Sequence, residues 1–389
     1  MLAIRGARLF DGVNATSLPQ PLVLVESGRV VAVQSGGEAP AEAELVDLGD
    51  VTLLPGLIDG HIHLAFDASA DPVGRLATVD DDKVLDGMRQ AARRALAAGI
   101  TTLRDLGDRS YLGVTLREEL ANDPAAGPQV LAAGPPITVT RGHCWFLGGE
   151  ADGVEGVRAA VREHADRGVD VIKVMATGGE MTPGTFSHEV SYGLPELRAM
   201  AEEAHRLGLP ITAHAHAAAG IANVAAAGFD MVEHCSFISA DGAHADEAVI
   251  EAIRQSGMII SATLGALPGF PVPPRIAAVL PQLMVVFSRL RELGLPLICS
   301  SDAGIGPPKP HDVLPYAAAM MVEMNGYPPV EALRAVTSAA AEALRLGDRK
   351  GRLAPGFEAD LLAVQGDPLA DINALRNVSA VFRAGQRVR

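Results

Sequence analysis

The sequence predicts an α/β protein built on a (β/α)8 TIM barrel, with a small β-sandwich domain formed by both chain ends. The first observation is that short apolar runs alternate with longer, Ala-rich, helix-like segments from residue 56 onward. Such alternation is typical of a parallel sheet. The second is that eight runs of this kind can be counted, which matches a closed barrel better than an open sheet. The third is that both chain ends are rich in β-like runs and turn signals, which predicts that they pack together.

The eight barrel strands are each expected to be short and apolar. They are predicted at Leu57–His63, Ile100–Arg104, Pro128–Ala132, Val169–Met175, Pro210–His214, Met231–His234, Met258–Ala262 and Leu295–Ser301. Helices are expected between several of them. Asp82–Ala98 carries an apolar stripe that includes Val84, Met88 and Ala92. Pro195–Leu207 begins with proline, as helix starts prefer.

The domain boundaries follow from this change of pattern. We predict a composite β-sandwich from residues 1–55 and 346–389, and a barrel over residues 56–345 that would act as a metal-dependent hydrolase. The chain has 389 residues, enough for a barrel of about 250 residues and a smaller partner. Hydrophobic residues make up 48% and aromatic residues only 4%, so the core should consist of small aliphatic side chains.

Charge and cysteine content exclude several classes of partner. The net charge is −15, which disfavours binding to nucleic acid, and no basic cluster is present for a membrane surface. No apolar run is long enough to span a membrane. Cys144, Cys235 and Cys299 form no CxxC pair, which favours a reducing compartment. We therefore expect a soluble, cytoplasmic protein with a small-molecule substrate, and a homo-oligomer remains open.

The strongest local motif is Leu54-Pro-Gly-Leu-Ile-Asp-Gly-His-Ile-His63 at the first barrel strand. Residues i and i+2 of a strand face the same way, so His61 and His63 can reach one metal ion together. Imidazole is a good ligand for zinc-like metals. Two ordinary polar residues at a strand end are the alternative interpretation of this pair.

Lys173 lies within the apolar run Val169–Met175. A bare ammonium inside a barrel is costly unless it is paired or modified. Carbamylation by CO2 would convert it into a carboxylate able to bridge two cations. The alternative is a lysine at the barrel mouth that reaches solvent or binds a substrate carboxylate.

Further metal-binding side chains stand at the ends of later strands. His214 and His216 close the fifth strand on one face, His234 closes the sixth, and Asp302 follows the eighth. Each residue alone has an ordinary structural explanation. Together they mark the carboxyl ends of the strands, the face on which barrel active sites are built.

This ordered set of motifs resembles the binuclear amidohydrolase superfamily, and in particular its imidazolonepropionase-related, prolidase-like branch. The resemblance covers nearly the whole chain. It implies two divalent metal ions, for which zinc is the default with these ligands. In such enzymes the HxH pair and the last Asp bind the more buried ion, which corresponds here to His61, His63 and Asp302.

The resemblance also assigns the second ion. It implies that His214 and His234 bind this ion and that a carbamylated Lys173 bridges both. It favours His214 over His216, which the residues alone do not. Mononuclear deaminases of the superfamily have a Glu near the metal on the fifth strand, and no Glu stands there in this sequence.

Loop residues supply candidates for substrate binding. The resemblance points to His143, in the Gly-His loop after the third strand, as a substrate contact. His216 and His311 are candidates for a substrate carboxylate, and Tyr192 for the pocket wall. The segment Leu267–Pro274, rich in Pro and Gly, is expected in the loop wall.

One residue pair has a structural interpretation instead. Arg104 and Asp105 end the second predicted strand, and a structural ion pair is expected there.

The expected activity is metal-dependent hydrolysis of an amide C–N bond, in an N-acyl amino acid or dipeptide-like substrate. A metal-bridging hydroxide would attack the carbonyl, and Asp302 would accept its proton and deliver it to the leaving nitrogen. Hydrolysis of a cyclic amide or imidazolone, and a mononuclear deaminase, are the alternatives. A non-catalytic barrel is disfavoured because the complete ligand set is present in the sequence.

Overall fold

The computed structural model of the protein describes residues 1–272 and 274–389, so Pro273 of the Leu267–Pro274 segment lies outside the described residues. Over these residues the strands are β1 (Leu2–Arg5), β2 (Arg8–Leu9), β3 (Leu18–Pro19), β4 (Pro21–Glu26), β5 (Arg29–Ser35), β6 (Glu44–Asp47), β7 (Val51–Pro55), β8 (Leu57–Ile62), β9 (Ile100–Asp105), β10 (Gln129–Ala132), β11 (Ile172–Met175), β12 (Ile211–Ala215), β13 (Met231–His234), β14 (Ile238–Ser239), β15 (Gly242–Ala243), β16 (Ile259–Thr263), β17 (Leu297–Ser300), β18 (Leu361–Gln365), β19 (Val378–Arg383) and β20 (Gln386–Arg387). The helices are α1 (Pro72–Thr78), α2 (Asp81–Ala97), α3 (Leu112–Ala121), α4 (Gly153–Asp166), α5 (Leu194–Arg206), α6 (Ala218–Ala227), α7 (Glu247–Ser256), α8 (Pro274–Glu292), α9 (Leu314–Glu323), α10 (Pro329–Ala335) and α11 (Ser338–Ala343), with short 3-10 helices at Trp145–Leu147 and Ile372–Arg376.

The eight predicted barrel strands are all present, as β8 to β13 with β16 and β17. They run parallel in two sheets, ordered β10-β9-β8 and β11-β12-β13-β16-β17. Hydrogen bonds also join the sheets: the His63 amide donates to the Ala303 carbonyl at 2.9 Å, and the Asp170 amide donates to the Ala132 carbonyl at 2.8 Å. The chain has a TIM-barrel-type α/β fold, while one closed eight-stranded sheet stays a prediction.

Some strands begin or end at residues other than those predicted, because the sequence alone does not show which residues pair with a neighbouring strand. The sequence predicts a strand over Val169–Met175, but β11 begins only at Ile172. Gly168 has a φ of 77°, and the Val169 amide donates to the His164 carbonyl of α4 at 3.3 Å. These residues still complete the end of the preceding helix, so the apolar run starts before the strand does.

Helix α2 shows how local signals position the outer layer. It begins after Asp80, whose carboxylate accepts a hydrogen bond from the Lys83 amide at 2.9 Å. Val84, Met88 and Ala92 are buried along its inner face, which confirms the predicted apolar stripe. Capping and patterning therefore agree on where this helix starts and which face packs on the barrel.

Both chain ends contribute to the strands outside the barrel. One sheet has the order β5-β4-β1-β6, and the other has the order β20-β19-β18-β7-β2-β3. In the second sheet, β7 pairs antiparallel with β18 from the other end of the chain. Ile4, Val23, Leu53, Leu361 and Phe382 belong to one buried cluster that draws on both sheets. The two ends thus pack together, while the sandwich geometry and its boundaries stay predictions.

Two large apolar clusters surround the barrel strands. Many of their members are Ala, Val, Ile and Leu, as the low aromatic content predicts. Within residues 1–272 and 274–389, no helix is both long and apolar enough to cross a membrane.

Candidate metal centre

The predicted histidine and aspartate ligands lie at or near the carboxyl ends of parallel strands, and Lys173 lies two residues deeper in its strand. His61 is in β8, Lys173 in β11, His214 in β12 and His234 in β13, and Asp302 follows β17. In the ladder, Met175 pairs with His214 and Ala215 pairs with His234, so these strand ends are level with one another. Parallel strands end at one face of a barrel, and this brings side chains from distant parts of the sequence together.

The first group of side chains consists of His61, His63 and Asp302. The two Nε2 atoms lie 3.2 Å apart, and Asp302 Oδ1 lies 3.4 Å from His61 Nε2 and 3.3 Å from His63 Nε2. Ligands about 2.1 Å from a tetrahedral metal ion lie about 3.4 Å from one another. The three atoms therefore fit one metal ion, and the predicted HxH pair does converge with the distant Asp.

Glu233 fixes the orientation of His61. Its carboxylate accepts a hydrogen bond from His61 Nδ1 at 2.9 Å, which leaves the Nε2 lone pair free to bind a metal. Arg104 donates to the same carboxylate at 2.8 Å, and the Thr212 hydroxyl donates at 2.6 Å. Burial alone would raise the pKa of Glu233, but Arg104 and His61 hold it well below its usual range.

The second group consists of His214, His216 and His234. Each pair of ring centroids is separated by 4.6 Å, and one nitrogen from each ring lies within 4.8 Å of the others. His61 lies 5.0 Å from His234, so the two groups are adjacent. The rings of His214 and His216 lie equally close to that of His234. The preference for His214 as the ligand therefore stays a prediction.

Polar atoms orient the second group. His214 Nε2 lies 3.0 Å from the Gly178 carbonyl. His216 Nδ1 lies 2.7 Å from Ser236 Oγ, and His234 Nδ1 lies 2.7 Å from Thr263 Oγ1. A partner on one ring nitrogen fixes the ring and leaves its other nitrogen available.

Lys173 is buried next to both groups. It is 1% exposed, and within the described residues Nζ has no hydrogen-bond partner. Burial lowers the pKa of His61 in the first group and of His214 in the second, and the positive charge of Lys173 lowers both further. Burial lowers the pKa of Lys173 itself to about 8. An unpartnered buried amine is costly, and a carbamate at this position would remove the positive charge.

Two candidate ligands have a backbone conformation that is unusual for residues other than glycine. His234 has a φ of 69°, and Asp302 has a φ of 57°. Left-handed conformations at such residues cost of order 1–3 kcal/mol, and they cluster at functional sites. Both residues lie where a strand gives way to a loop, and their side chains belong to the two ligand groups.

His143, a predicted substrate contact, lies against the second group. Its ring centroid is 4.8 Å from that of His214. A Cβ on Gly179 would lie 2.5 Å from His143 Nε2, so glycine lets this loop approach the ring closely. Burial lowers the pKa of His143 to about 3, so the ring is neutral near pH 7.

The structure gives the other two predicted substrate contacts different surroundings. His311 Nε2 donates to the His63 carbonyl at 3.1 Å, so this ring supports the main chain of a candidate ligand. The Tyr192 hydroxyl donates to the Ala151 carbonyl at 2.6 Å, and its ring packs in the second apolar cluster. These contacts give the predicted pocket role of Tyr192 no support.

Arg104 does form a structural ion pair at the end of the second strand, but its partner is Glu233 and not Asp105. Arg104 pairs with Glu233 inside the barrel because alternate residues of β9 face opposite sides. Sequence reasoning missed Glu233, although a glutamate in the buried strand Met231–His234 is a usable signal, since such a charge requires partners.

Comparisons with known proteins identify the family to which the chain belongs. The sequence profile of the Amidohydrolase family matches residues 52–388. Ochratoxinase from Aspergillus niger is 30% identical over 371 residues, which cover 85% of this chain and 73% of that protein. Imidazolonepropionase from Deinococcus deserti is 27% identical over an alignment of 418 positions, which covers 99% of this chain and 95% of that protein.

A solved structure extends the likeness to three dimensions. The crystal structure of a Xaa-Pro dipeptidase with bound methionine in the active site has a TM-score of 0.87 and 27% identity, and 99% of each chain is covered. The family profile spans most of the sequence, and the resemblance in the motifs is confirmed. The chain belongs to the Amidohydrolase family and is a metal-dependent hydrolase that acts on carbon–nitrogen bonds.

Proposed function

We propose that the protein hydrolyses the amide bond of an N-acyl amino acid or a dipeptide-like small molecule at a centre of two divalent metal ions. The observation that carries the proposal is the pair of adjacent ligand groups, joined by the 5.0 Å contact of His61 with His234, beside the buried and unpartnered amine of Lys173. A mononuclear deaminase would need only one of these groups.

In this proposal the site would hold two ions, with zinc the default. His61, His63 and Asp302 would hold the first ion, and His214 and His234 would hold the second. A carbamate of Lys173 would be a ligand shared by both. When bound, the metal ions polarise the carbonyl group and make water nucleophilic at neutral pH.

The protein's own residues orient the substrate and move the proton. Asp302 is the catalytic residue: Oδ1 faces both imidazoles of the first group, and Oδ2 accepts a proton from the attacking water and passes it to the leaving nitrogen. Burial opposes ionisation, but His61 and His63 hold the pKa of Asp302 well below its usual range, so the carboxylate is ionised near pH 7.

Two histidines are proposed to contact the substrate. His143 lies against His214 and would bind the substrate beside the scissile bond. His216, held by Ser236, would bind the carboxylate end. His311 would act through His63 by supporting its carbonyl, as a positioning residue.

A substrate panel tests the activity. We expect hydrolysis of N-acyl amino acids or dipeptides, and no ammonia release from aminated rings. Asp302→Asn should keep its fold by circular dichroism and lose turnover by about two to four orders of magnitude, because general acid–base catalysis contributes that much. Near-normal turnover in Asp302→Asn would contradict its role.

Opening of a cyclic amide or imidazolone is the second candidate. The 27% identity to imidazolonepropionase over 99% of this chain favours it. Lactams, hydantoins and imidazolones in the same panel distinguish the two, since the preferred class should have a kcat/KM at least about tenfold higher, a difference of about 1.4 kcal/mol in transition-state binding.

We also propose the wider organisation of the molecule from its sequence. A closed barrel over residues 56–345 would be joined to a β-sandwich formed by residues 1–55 and 346–389. The protein would act in the cytoplasm on a small molecule. A homo-oligomer would use the outer faces of its helices as the interface.

A further inference from the structure

Asp302 lies in a tight turn that packs against the end of the first barrel strand. We call residues 301–309 the aspartate turn. Asp302 has a φ of 57° and Gly304 has a φ of 104°, and the Gly304 amide donates to the Lys309 carbonyl at 2.7 Å. A Cβ on Gly304 would overlap the His63 carbonyl, so glycine lets the turn lie this close to β8. The direction of the Asp302 side chain therefore depends on how this main chain is held.

One side of the aspartate turn is held by β8, the strand that carries His61. The Asp59 carboxylate accepts hydrogen bonds from the Ser301 amide at 3.0 Å and from the Ser301 hydroxyl at 2.5 Å. It also accepts one from the His61 amide at 3.3 Å, and the Asp302 amide donates to the His61 carbonyl at 2.8 Å. Asp59 is fully buried. These bonds fix the start of the turn relative to a histidine of the same ligand group.

The other side is held by Lys309, whose side chain folds back over the turn. Its Nζ donates to the Ser301 carbonyl at 2.6 Å. It also lies 3.4 Å from the carbonyl of Leu264, the residue that follows β16. One ammonium group therefore joins the ends of two neighbouring barrel strands at the residue before Asp302.

The ammonium group of Lys309 carries a charge that the Ser301 carbonyl does not require. Lys309 is half-buried, and burial lowers the pKa of its side chain, while the negative charges of Asp302 and Asp59 raise it. A neutral donor would satisfy the same carbonyl with a smaller desolvation cost. The two nearby carboxylates explain a lysine at this position, and one of them belongs to the first ligand group.

We infer that Lys309 is a positioning residue: its ammonium group holds the Ser301 carbonyl and thereby aims the Asp302 carboxylate at the first ligand group. This inference deepens the proposed function and rests on Asp302 as a ligand of the first ion. Both hydrogen-bond partners of Lys309 are main-chain carbonyls, so it acts through Asp302 and not by binding the substrate. Loss of the ammonium group should weaken metal binding and slow turnover together, and leave substrate binding unchanged.

Metal affinity tests the inference without turnover. Lys309→Met removes the ammonium group and keeps an unbranched side chain. In dialysis against graded chelator it should hold metal about tenfold more weakly than the wild type, as when a ligand loses its supporting contacts. Lys309→Arg keeps the charge and should recover most of that affinity. Lys83→Met, at an exposed lysine of α2 paired with Asp80, is the matched control and should hold metal like the wild type. Wild-type metal affinity in Lys309→Met would overturn the inference.

A double-mutant cycle separates the positioning of Asp302 from general support of the fold. Asp302→Ala has no carboxylate to position, so adding Lys309→Met to it should weaken metal binding by less than about twofold more. A residue that merely stabilises the fold would cause the same loss in both backgrounds, and this additive result would contradict the inference. Lys309→Gln, which keeps a donor, replaces Lys309→Met in the cycle if circular dichroism shows that the methionine variant does not fold.

Kinetics separate this inference from the proposed function. With the preferred amide substrate at saturating metal, Lys309→Met should lower kcat about tenfold and leave KM within about twofold of the wild type. An unchanged kcat with a raised KM would show that Lys309 binds the substrate, and the inference would be wrong while amide hydrolysis stands. If the wild type hydrolyses no amide, the proposed function fails, and the double-mutant cycle on metal affinity still decides the role of Lys309.

Discussion

Single side chains at the candidate site depend on partners that are distant in the sequence. Glu233 is the clearest case, because its carboxylate is fully buried and accepts hydrogen bonds from His61, Arg104 and Thr212. These donors come from three other strands of the barrel. Its role is therefore to hold the His61 imidazole in one tautomer and one orientation.

Glu233→Gln tests this role. Glutamine keeps the shape but loses the negative charge that orients His61, so metal affinity should fall about 10- to 100-fold. The measurement is metal retained per chain after dialysis against a graded series of chelator concentrations. Glu251→Gln, an exposed residue of α7 that bonds to Arg254, is the control and should retain metal like the wild type. Equal retention in Glu233→Gln would show that His61 needs no such support.

Lys173→Ala tests the proposed carbamate bridge. Removal of the buried amine should abolish binding of at least one ion, and acetate or formate added with metal should partly restore metal content and activity. Lys83→Ala, at an exposed lysine of α2, provides the control for the loss of a positive charge. Full metal content in Lys173→Ala without any added acid would rule the bridge out.

At the scale of elements, an ion network ties the C-terminal strands to the segment after α11. Lys350 Nζ lies 2.5 Å from Asp360 and 2.7 Å from Glu358, and Arg383 of β19 lies 3.0 Å from Asp360. Lys350 is 1% exposed in its side chain. Burial alone would raise the pKa of Asp360, but Lys350 and Arg383 hold it below its ordinary value.

Asp360→Asn should destabilise the protein by about 3 kcal/mol at pH 7, because it leaves a buried lysine with one charged partner fewer. The stabilisation is present above the unfolded carboxyl pKa, near 3.9, and is lost as pH falls through the lower folded pKa. The gap between wild type and variant in urea unfolding should therefore shrink on acidification. Asp50→Asn, in the exposed pair with Arg8, should change stability by at most about 1 kcal/mol at either pH. A constant gap between pH 7 and pH 3 would contradict the ionic origin.

The sequence predicts the existence of elements better than their ends and contacts. Apolar runs and helix periodicity locate all eight barrel strands and the inner face of α2. The start of β11 is missed because a strand needs a neighbour to pair with, and this information lies outside the run itself. The partner of Arg104 is missed for the same reason, since Glu233 belongs to a strand far away in the sequence.

At the scale of the whole molecule, the position of the candidate site follows from topology. The histidines of β8, β12 and β13 and the aspartate after β17 come together because parallel strands end at one face. The sequence predicts this convergence in advance. It does not predict that Phe66 and Phe146 come together, because they belong to loops after different strands and show no pattern in common.

The central claim is a centre of two metal ions, and metal content per chain tests it most directly. Protein purified without chelators or a histidine tag would be measured by elemental analysis before and after exposure to zinc and bicarbonate. We predict two ions per chain, one for each ligand group. One ion per chain would favour the mononuclear alternative, and a value near zero after zinc and bicarbonate would contradict the whole account of the His and Asp positions.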